Sequence, residues 1–193
     1  MRRMLGKLKS MDVPVRSMRA LEFFAREGDW HTVSYATEVS SLDAWEINPQ
    51  CEPALRRNLP LANIRIGDSF ILARQPEFTH AFDFLVFDNP LCLFGKNGEL
   101  CEHFEALELV PILMKEHGVL IFNINYHPYG YDSNPEWRRR RQAYYGISDP
   151  ARLDFDFAQE FYQCKIKKFG FTVQKFFIFD RHDGIMAYVT MVL

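Results

Sequence analysis

The sequence predicts an α/β domain with a seven-stranded, mostly parallel sheet, helices on both faces and an antiparallel hairpin at the C-terminus. Residues 18–48 combine an apolar run, a turn with a glycine, a helical pattern and a second apolar run, which is the order of a βαβ unit. The nearly continuous apolar run Phe82–Phe87 is typical of a central parallel strand covered on both faces. Residues 171–179 and 185–192 alternate in part and are joined by a loop that contains Asp183-Gly184, which indicates a β-hairpin.

The composition indicates one folded domain in a reducing compartment. The chain has 193 residues, of which 48% are hydrophobic and 15% aromatic, so it can bury a core. The formal net charge of -2 excludes a strongly basic protein. The four cysteines contain no CxxC pair, which argues against a zinc site or a disulfide framework. Because no apolar run could span a bilayer or serve as a signal peptide, we expect a cytoplasmic protein without a membrane partner.

Residues 1–19 form a basic N-terminal segment ahead of the main domain, residues 20–193. The segment contains six arginines and lysines and a single acid, Asp12. Its apolar residues recur at roughly helical spacing, and Pro14 would end the helix. Two interpretations stay open: a helix that lies on the domain with its basic face in water, or a contact surface for an anionic partner.

The first βαβ unit begins with a strand over residues 20–24 and turns at Glu27-Gly28-Asp29. A helix is predicted from Trp30 to about Glu38, followed by a second strand over residues 42–47. Gly28 would either bring the backbone close to a ligand or allow a positive φ. A single glycine is not a Gly-x-Gly-x-x-Gly fingerprint, so the turn alone does not indicate a phosphate site.

The rest of the chain continues the alternation of strands and helices. A helix that starts at Pro49 precedes a third strand, Asn63–Ile66, and residues 69–81 are too short for a long crossover helix. A long helix is predicted over residues 99–116, capped by Gly118, and a fifth strand over residues 119–123. A long loop follows over residues 126–141. The last predicted helix covers residues 155–169 and stops at Gly170.

Acidic side chains accompany the predicted parallel strands. Glu22 lies within the first strand, and Glu46, Asp68 and Asp88 follow the second, third and fourth. The carboxyl ends of parallel strands meet at one edge of a sheet, where ligands of such folds bind. Each acid alone is more often an ordinary strand-end or turn residue, but the convergence of Glu46, Asp68 and Asp88 at one edge favours a binding site. A carboxylate at the second strand's end, Glu46, can accept both hydroxyls of a ribose.

In the order of its predicted strands and helices, the chain resembles the class I S-adenosylmethionine-dependent methyltransferases, including spermidine synthase-like members, which have a Rossmann-like fold. The resemblance covers residues 20–193. It is carried by the segments ALEFFAREGDW, LDAWEINP, IRIGDSF, FDFLVFDNP and LMKEHGVLIFN, and by the closing hairpin. The chain departs from the family at the first motif, where two usual glycines are replaced, at Ala25 or Arg26 and near Trp30.

The resemblance implies S-adenosylmethionine as the cofactor. Glu46 would hold the cofactor ribose, Asp68 would lie beside the adenine, and Asp88 with Asn89 would sit at the reaction centre, Asp88 as base or orienting group. The implied cofactor-binding residues are Glu22, Gly28, Glu46, Asp68 and Asp88. Methyl transfer from this cofactor requires the protein mainly to hold the acceptor in line with the methyl group and sometimes to remove a proton.

The predicted loop over residues 126–141 falls where the family often recognises its substrate. Aromatic side chains beside arginines can stack bases and neutralise phosphates, which favours RNA or a small planar or anionic acceptor. The candidate substrate-binding residues are Tyr126, His127, Arg138 and Arg139. The alternative is a solvated helix start with Trp137 packed on the domain. His127 has no partner at metal-binding spacing, so no metal is expected.

Three functions remain open from the sequence. The first is an active methyltransferase, and the second is an aminopropyltransferase-like enzyme on the same fold. The third is a non-catalytic module that keeps the fold and has lost the cofactor, because of the degenerate glycine turn. An arginine-rich substrate loop suits a polyamine less well than an anionic acceptor.

Overall fold

The computed structural model describes residues 1–88, 102–126, 134–148, 153–181 and 186–193. Its centre is one seven-stranded sheet with the order β3-β2-β1-β4-β5-β7-β6. Strands β1 to β5 pair in parallel, and β7 runs antiparallel to both β5 and β6. The predicted mostly parallel sheet with a closing antiparallel pair is therefore confirmed. The strands are β1 Arg19–Glu22, β2 Ser41–Glu46, β3 Asn63–Ile66, β4 Phe82–Phe87, β5 Met114–Asn125, β6 Lys175–Asp180 and β7 Met186–Val192.

Helices cover both faces of this sheet. Alternate side chains of the strands point to opposite faces and divide the core into two apolar clusters. Leu21 and Leu85 belong to one cluster, and Ala20, Phe84 and Val86 belong to the other. The α-helices of the described chain are α1 Arg2–Lys9, α2 Glu52–Asn58, α3 Ser69–Leu72, α4 Phe104–Leu107, α5 Val110–Leu113, α6 Pro135–Tyr145 and α7 Phe155–Lys168. Helices α1 and α2 pack on one face, and α4 to α7 pack on the other.

The basic N-terminal segment begins with helix α1, which lies on the sheet. Its apolar side chains Met4, Leu5 and Leu8 are buried in the same cluster as the strands, while Arg2 and Arg3 are exposed. The helix therefore uses its apolar stripe for packing and leaves its basic face in water. Its position brings two arginines to the edge of the molecule near the β6–β7 hairpin, where Arg3 lies 5.1 Å from the ring centre of Phe179.

The helix predicted from Trp30 to about Glu38 is wrong. Only a single 3-10 turn, Thr32–Ser34, forms in this stretch. Thr32 and Tyr35 both donate hydrogen bonds to the buried carboxylate of Glu22, so their side chains are held towards β1. Thr32 and the following valine are β-branched and Ser34 competes for backbone hydrogen bonds, so these tertiary contacts overcome a weak helical preference.

The long helix predicted over residues 99–116 is also wrong where the structure describes it, from residue 102. Two four-residue helices replace it, and β5 already begins at Met114. Pro111 stands in the first turn of α5, where its missing N–H is tolerated, whereas it would interrupt a continuous helix.

Gly118 does not cap a helix but lies inside β5. A Cβ at this position would stand 2.4 Å from the carbonyl oxygen of Asp83 on β4. The β4–β5 register shifts at this point, between the pairs that Phe82 and Phe84 form. The glycine is needed because two neighbouring strands approach closely at an irregularity in their pairing.

The predicted loop over residues 126–141 is partly helical. Helix α6 starts at Pro135, so all four arginines 138–141 lie on a helix, and the side chain of Asn134 accepts a hydrogen bond from the backbone N–H of Trp137. Residues 127–133 lie outside the described chain. The predicted closing hairpin is confirmed with shorter strands, paired from Lys175 opposite Val192 to Asp180 opposite Ala187.

Candidate active site

Two buried carboxylates meet at the carboxyl ends of the neighbouring strands β1 and β4. Glu22 is the last residue of β1 and pairs with Val86, and Asp88 directly follows β4. The exposed fractions of Glu22 and Asp88 are 1% and 9%. Both side chains line a cleft of about 600 Å³, a volume typical of sites for small molecules and cofactors.

Glu22 is held by the turn that replaces the predicted helix. Its Oε2 accepts hydrogen bonds from the hydroxyl of Tyr35 at 2.7 Å and from Oγ1 of Thr32 at 3.2 Å. Its Oε1 is buried and has no hydrogen-bond partner among the described residues. Burial raises the pKa of Glu22 well above its ordinary value, and the nearby charge of Asp88 raises it further.

Asp88 joins a second cluster of polar groups, formed with His31 and Tyr188. Its Oδ2 lies 2.8 Å from Nδ1 of His31 and accepts a hydrogen bond from the hydroxyl of Tyr188 at 3.0 Å. The Tyr188 hydroxyl is also 2.5 Å from Nδ1 of His31. Burial raises the pKa of Tyr188, and the charge of Asp88 adds to this effect. Oδ1 of Asp88 is buried without a hydrogen-bond partner in the described chain.

The cleft is acidic. Among the described residues, three acids besides Glu22 line it, and one arginine, Arg26, opposes them. Even with Glu22 protonated, the lining therefore carries an excess of negative charge, which favours a cationic ligand. The lining residues are Glu22, Phe24, Ala25, Arg26, Glu27, Asp29, Trp30, His31, Thr32 and Asp88.

The other predicted cofactor residues hold the loops around this cleft and do not line it. Gly28 has φ +69°, and a Cβ there would stand 2.7 Å from Cδ1 of Leu55, so the glycine allows the turn to pack on α2. The carboxylate of Glu46 accepts hydrogen bonds from the backbone N–H groups of Arg26 and Asn48, both at 2.8 Å. The structure thus assigns Gly28 and Glu46 a part in shaping the turn, and their contact with a cofactor stays a prediction.

Asp68 caps helix α3. Its Oδ1 accepts a hydrogen bond from the backbone N–H of Phe70 at 2.8 Å, as expected for an N-cap aspartate. The position at the carboxyl end of β3 is the predicted one. A role beside an adenine ring stays a prediction, as does that of Asn89, which lies outside the described chain.

The predicted substrate residues separate into exposed and structural positions. Tyr126 follows β5, and burial raises its pKa to about 12, with smaller contributions from Asp180 and Asp154. Arg138 is half-buried, and Arg139 is exposed and forms an ion pair with Glu136 at 2.6 Å. His127 lies outside the described chain.

The end of the predicted substrate loop belongs to the core. Arg141 is fully buried, pairs with the buried Glu102, and donates to the backbone oxygen of Asn125 at 3.0 Å. Nε1 of Trp137 donates to the same glutamate at 3.2 Å. Of the two interpretations of Trp137, the one in which it packs on the domain is therefore correct.

His31 and Tyr188 are the site residues that the sequence reasoning missed. His31 lies two residues after the turn Glu27-Gly28-Asp29, and its position after the first strand was a signal that it could lie at the carboxyl edge of the sheet. Tyr188 pairs with Asn123 near the carboxyl end of β5. Because β7 is antiparallel, its first residues lie at the same edge of the sheet as the carboxyl ends of the parallel strands. The polar side chains at the start of β7 were therefore candidates for the binding site.

A second cleft, of about 480 Å³, adjoins the acidic one and shares Trp30 and His31 with it. It lies between the start of α1 and the β6–β7 hairpin. Its other lining residues are Met1, Arg2, Arg3, Met4, Phe179, Asp180, Arg181 and Tyr188. The two clefts therefore differ in charge and meet at one shared wall.

The described residues contain no group of three side chains suited to hold a metal ion. In the same part of the chain, no helix has both the length and the apolar character needed to cross a membrane.

Solved structures with this fold include several methyltransferases. Trm1 from Pyrococcus horikoshii, solved with S-adenosyl-L-methionine, is 14% identical with a TM-score of 0.62, and the match covers 99% of this chain and 55% of that one. TYW2 from M. jannaschii, solved with AdoMet, is 14% identical with a TM-score of 0.53, covering 97% and 74%. A Haemophilus influenzae protein provisionally described as a methylase is 12% identical with a TM-score of 0.55, covering 99% and 97%.

These similarities establish that the chain has the class I methyltransferase fold. The chain spans about half the length of Trm1, whereas it spans nearly the whole of the Haemophilus influenzae protein. No protein-family model matches the sequence, and a search of curated proteins gives no significant match.

Proposed function

We propose that the protein is an S-adenosylmethionine-dependent methyltransferase whose cofactor binds in the acidic cleft. The observation that carries this proposal is the pair of buried carboxylate oxygens, Oε1 of Glu22 and Oδ1 of Asp88, that have no partner in the described chain and belong to residues lining that cleft. Buried polar atoms are seldom left unpaired without a functional reason. Two such acceptors in an acidic cleft suit a ligand with cationic donors.

The residues present fit this cofactor. Glu22 and Asp88 would accept hydrogen bonds from the ammonium group of its methionine part, and the acids Glu27 and Asp29 would add to the favourable potential. Glu46 uses two of its lone-pair positions for backbone N–H groups, and a carboxylate has about four. It therefore keeps capacity for the predicted ribose contact. When bound, the cofactor supplies a methyl group already activated by its sulfonium.

The cluster of His31, Asp88 and Tyr188 supplies the protein's own chemistry. Nδ1 of His31 is occupied by Asp88 and Tyr188, while its Nε2 has no hydrogen-bond partner among the described residues. Methylation of an N–H or O–H group releases one proton. Nε2 can take that proton, and the carboxylate of Asp88 then stabilises the imidazolium that forms. Asp88 thus keeps the predicted role of orienting group, and His31 becomes the base.

Titration calorimetry with S-adenosylhomocysteine tests the cofactor site. Asp88→Asn should weaken binding by about tenfold to hundredfold, since a hydrogen bond to a charged group contributes about 1.5–3 kcal/mol. Asp83→Asn is the matched control, because Asp83 lies on the same strand and contacts Lys115 and the backbone of Arg19 instead of the cleft. Equal affinities of the two variants would refute the site, and no heat from the wild type at millimolar ligand would refute the function.

A non-catalytic module is the second candidate function, and two observations favour it. The side chains of Leu55 and Leu59 fill the space beside Gly28 in which a Cβ would stand. Arg26 adopts φ +48°, a strained value for a residue with a side chain, at the place where the family has a glycine. A wild type that binds neither cofactor nor product would support this candidate.

An aminopropyltransferase-like enzyme is less well supported. Its acceptor would be a polyamine cation, and the described lining of the cleft next to the proposed cofactor site contains three arginines and one aspartate. Positive potential disfavours a polycation at that place. The basic lining of this second cleft supports RNA or a small planar or anionic molecule as the acceptor.

A further inference from the structure

We infer that the second cleft binds a nucleotide, with its phosphate on the arginines of α1 and of the β6–β7 hairpin and its base against the exposed ring of Trp30. The assignment of this nucleotide as the methyl acceptor rests on the proposed function, whereas its binding does not. The site differs from the predicted substrate segment, residues 126–141, whose last arginine is buried in the core.

The charge of the cleft favours an anion. Arg2 and Arg3 form no ion pair with any residue that the structure describes, although Lys9 on the same helix pairs with Glu38 at 2.9 Å. Asp180 is the one acid among the described residues that line the cleft. Helix α1 begins at Arg2 with no side-chain cap, so its first N–H groups add positive potential at the same place.

The rings of the cleft favour a planar group. The exposed fraction of Trp30 is 58%, while the other two tryptophans, Trp45 and Trp137, are buried. The guanidinium carbon of Arg181 lies 5.4 Å from the ring centre of Trp30, and that of Arg3 lies 5.1 Å from Phe179. Rings and guanidinium planes in alternation are surfaces on which a base can stack while its phosphate meets the same cations.

The position of the cleft relates it to the reaction. Trp30 and His31 form the wall shared with the acidic cleft, and Tyr188 lines the basic one. A base held against Trp30 would therefore lie beside His31, the residue proposed to take the released proton. The volume of about 480 Å³ is in the range of sites that enclose a ligand of mononucleotide size.

Calorimetry with adenosine monophosphate tests the inference on the full chain. The double variant Arg2→Ala with Arg3→Ala should bind the nucleotide at least about tenfold more weakly than the wild type, since hydrogen bonds to a charged phosphate are lost. The matched control is Arg56→Ala with Arg57→Ala, a second adjacent arginine pair on an exposed helix face. Thermal melts check folding, and the exposed single change Arg2→Ala should still weaken binding if the double variant does not fold.

Further ligands test the two halves of the site and the source of the nucleotide. Adenosine and inorganic phosphate should each bind at least about tenfold more weakly than the monophosphate, because each meets only the rings or only the arginines. Quenching of tryptophan fluorescence by the monophosphate should be lost in Trp30→Leu. A short oligoadenylate that binds more tightly, with affinity falling between about 50 and about 200 mM salt, would identify RNA as the source. Equal affinities would identify a free nucleotide.

The outcome separates this inference from the proposed function. Binding of the monophosphate without binding of S-adenosylhomocysteine would refute the methyltransferase and leave the nucleotide site standing. Binding of S-adenosylhomocysteine with no heat from the monophosphate at millimolar concentration would overturn the nucleotide site alone. Equal affinities of the Arg2/Arg3 and Arg56/Arg57 double variants for the monophosphate would also overturn the nucleotide site.

Discussion

Replacing Glu22 by Gln should stabilise the folded protein while it weakens cofactor binding. Glu22 is 1% exposed and its Oε1 has no partner in the described chain. Burial raises its pKa well above 4.5, its ordinary value, and the charge of Asp88 adds to this. Below the pKa of the unfolded state, the carboxyl is neutral in both states and has no ionisation penalty. As the pH rises towards the folded pKa, the unfolded state gains relative stability, because it can ionise freely.

The size of the effect follows from removing one ionisable carboxyl from the interior. Each unit of pKa shift corresponds to about 1.4 kcal/mol between the two protonation states, and glutamine removes the charge while it keeps an oxygen to accept the hydrogen bonds from Tyr35 and Thr32. We expect the free energy of unfolding near neutral pH to rise by about 1–2 kcal/mol. For a chain of this length, that corresponds to an increase in Tm of about 2–8 °C.

Differential scanning calorimetry of both proteins at about pH 5 and about pH 8 measures this. The gap in Tm between Glu22→Gln and the wild type should widen at the higher pH, because only the wild type loses stability through this residue. Glu52→Gln, a change on the outer side of α2, is the control. The difference in Tm between this variant and the wild type should be the same at both pH values. A variant that is less stable than the wild type at both pH values would refute the reasoning.

Two further predictions concern the frame of the site. Arg141→Ala should lower the free energy of unfolding by about 3–5 kcal/mol in denaturant titrations, because it leaves Glu102 buried and unpaired. Arg139→Ala on the same helix should change the free energy of unfolding little. Similar losses in the two variants would contradict the stabilising role of the Arg141–Glu102 pair. Gly118→Ala should cost about 1–3 kcal/mol or more, because its Cβ would meet the backbone oxygen of Asp83 at 2.4 Å, and an unchanged midpoint of unfolding would show that the strands can separate.

The strands could be predicted because their signal is local and repeated. The third and fourth strands have the predicted bounds, Asn63–Ile66 and Phe82–Phe87. In the fourth, nearly every side chain is apolar, as expected for a strand covered on both faces. The parallel pairing of the first five strands and the closing antiparallel pair followed from the same pattern, because parallel strands need crossovers and the closing hairpin needs none.

The failed helices have tertiary causes that a single sequence does not display. The apolar residues between 102 and 116 have helical spacing, yet Pro111 and the early start of β5 divide them. The carboxylates of the site were predicted because strand ends are visible in the sequence. Their partners were not, since His31 and Asp88 are 57 residues apart and Tyr188 is 100 residues beyond Asp88.

The turn after β1 shows why local preference and structure disagree at this site. The side chains of Thr32 and Tyr35 are bonded to Glu22, and that of His31 is bonded to Asp88. In a regular helix, with about 100° between successive residues, positions 31, 32 and 35 would span an arc of only about 100°, so their spacing is compatible with the predicted helix. The structure instead forms a single 3-10 turn, Thr32–Ser34, in which these side chains bond to carboxylates on two neighbouring strands. The predicted helix is absent where the side chains of this turn bond to the two carboxylates. Such disagreements between the local sequence pattern and the tertiary structure are expected at functional sites.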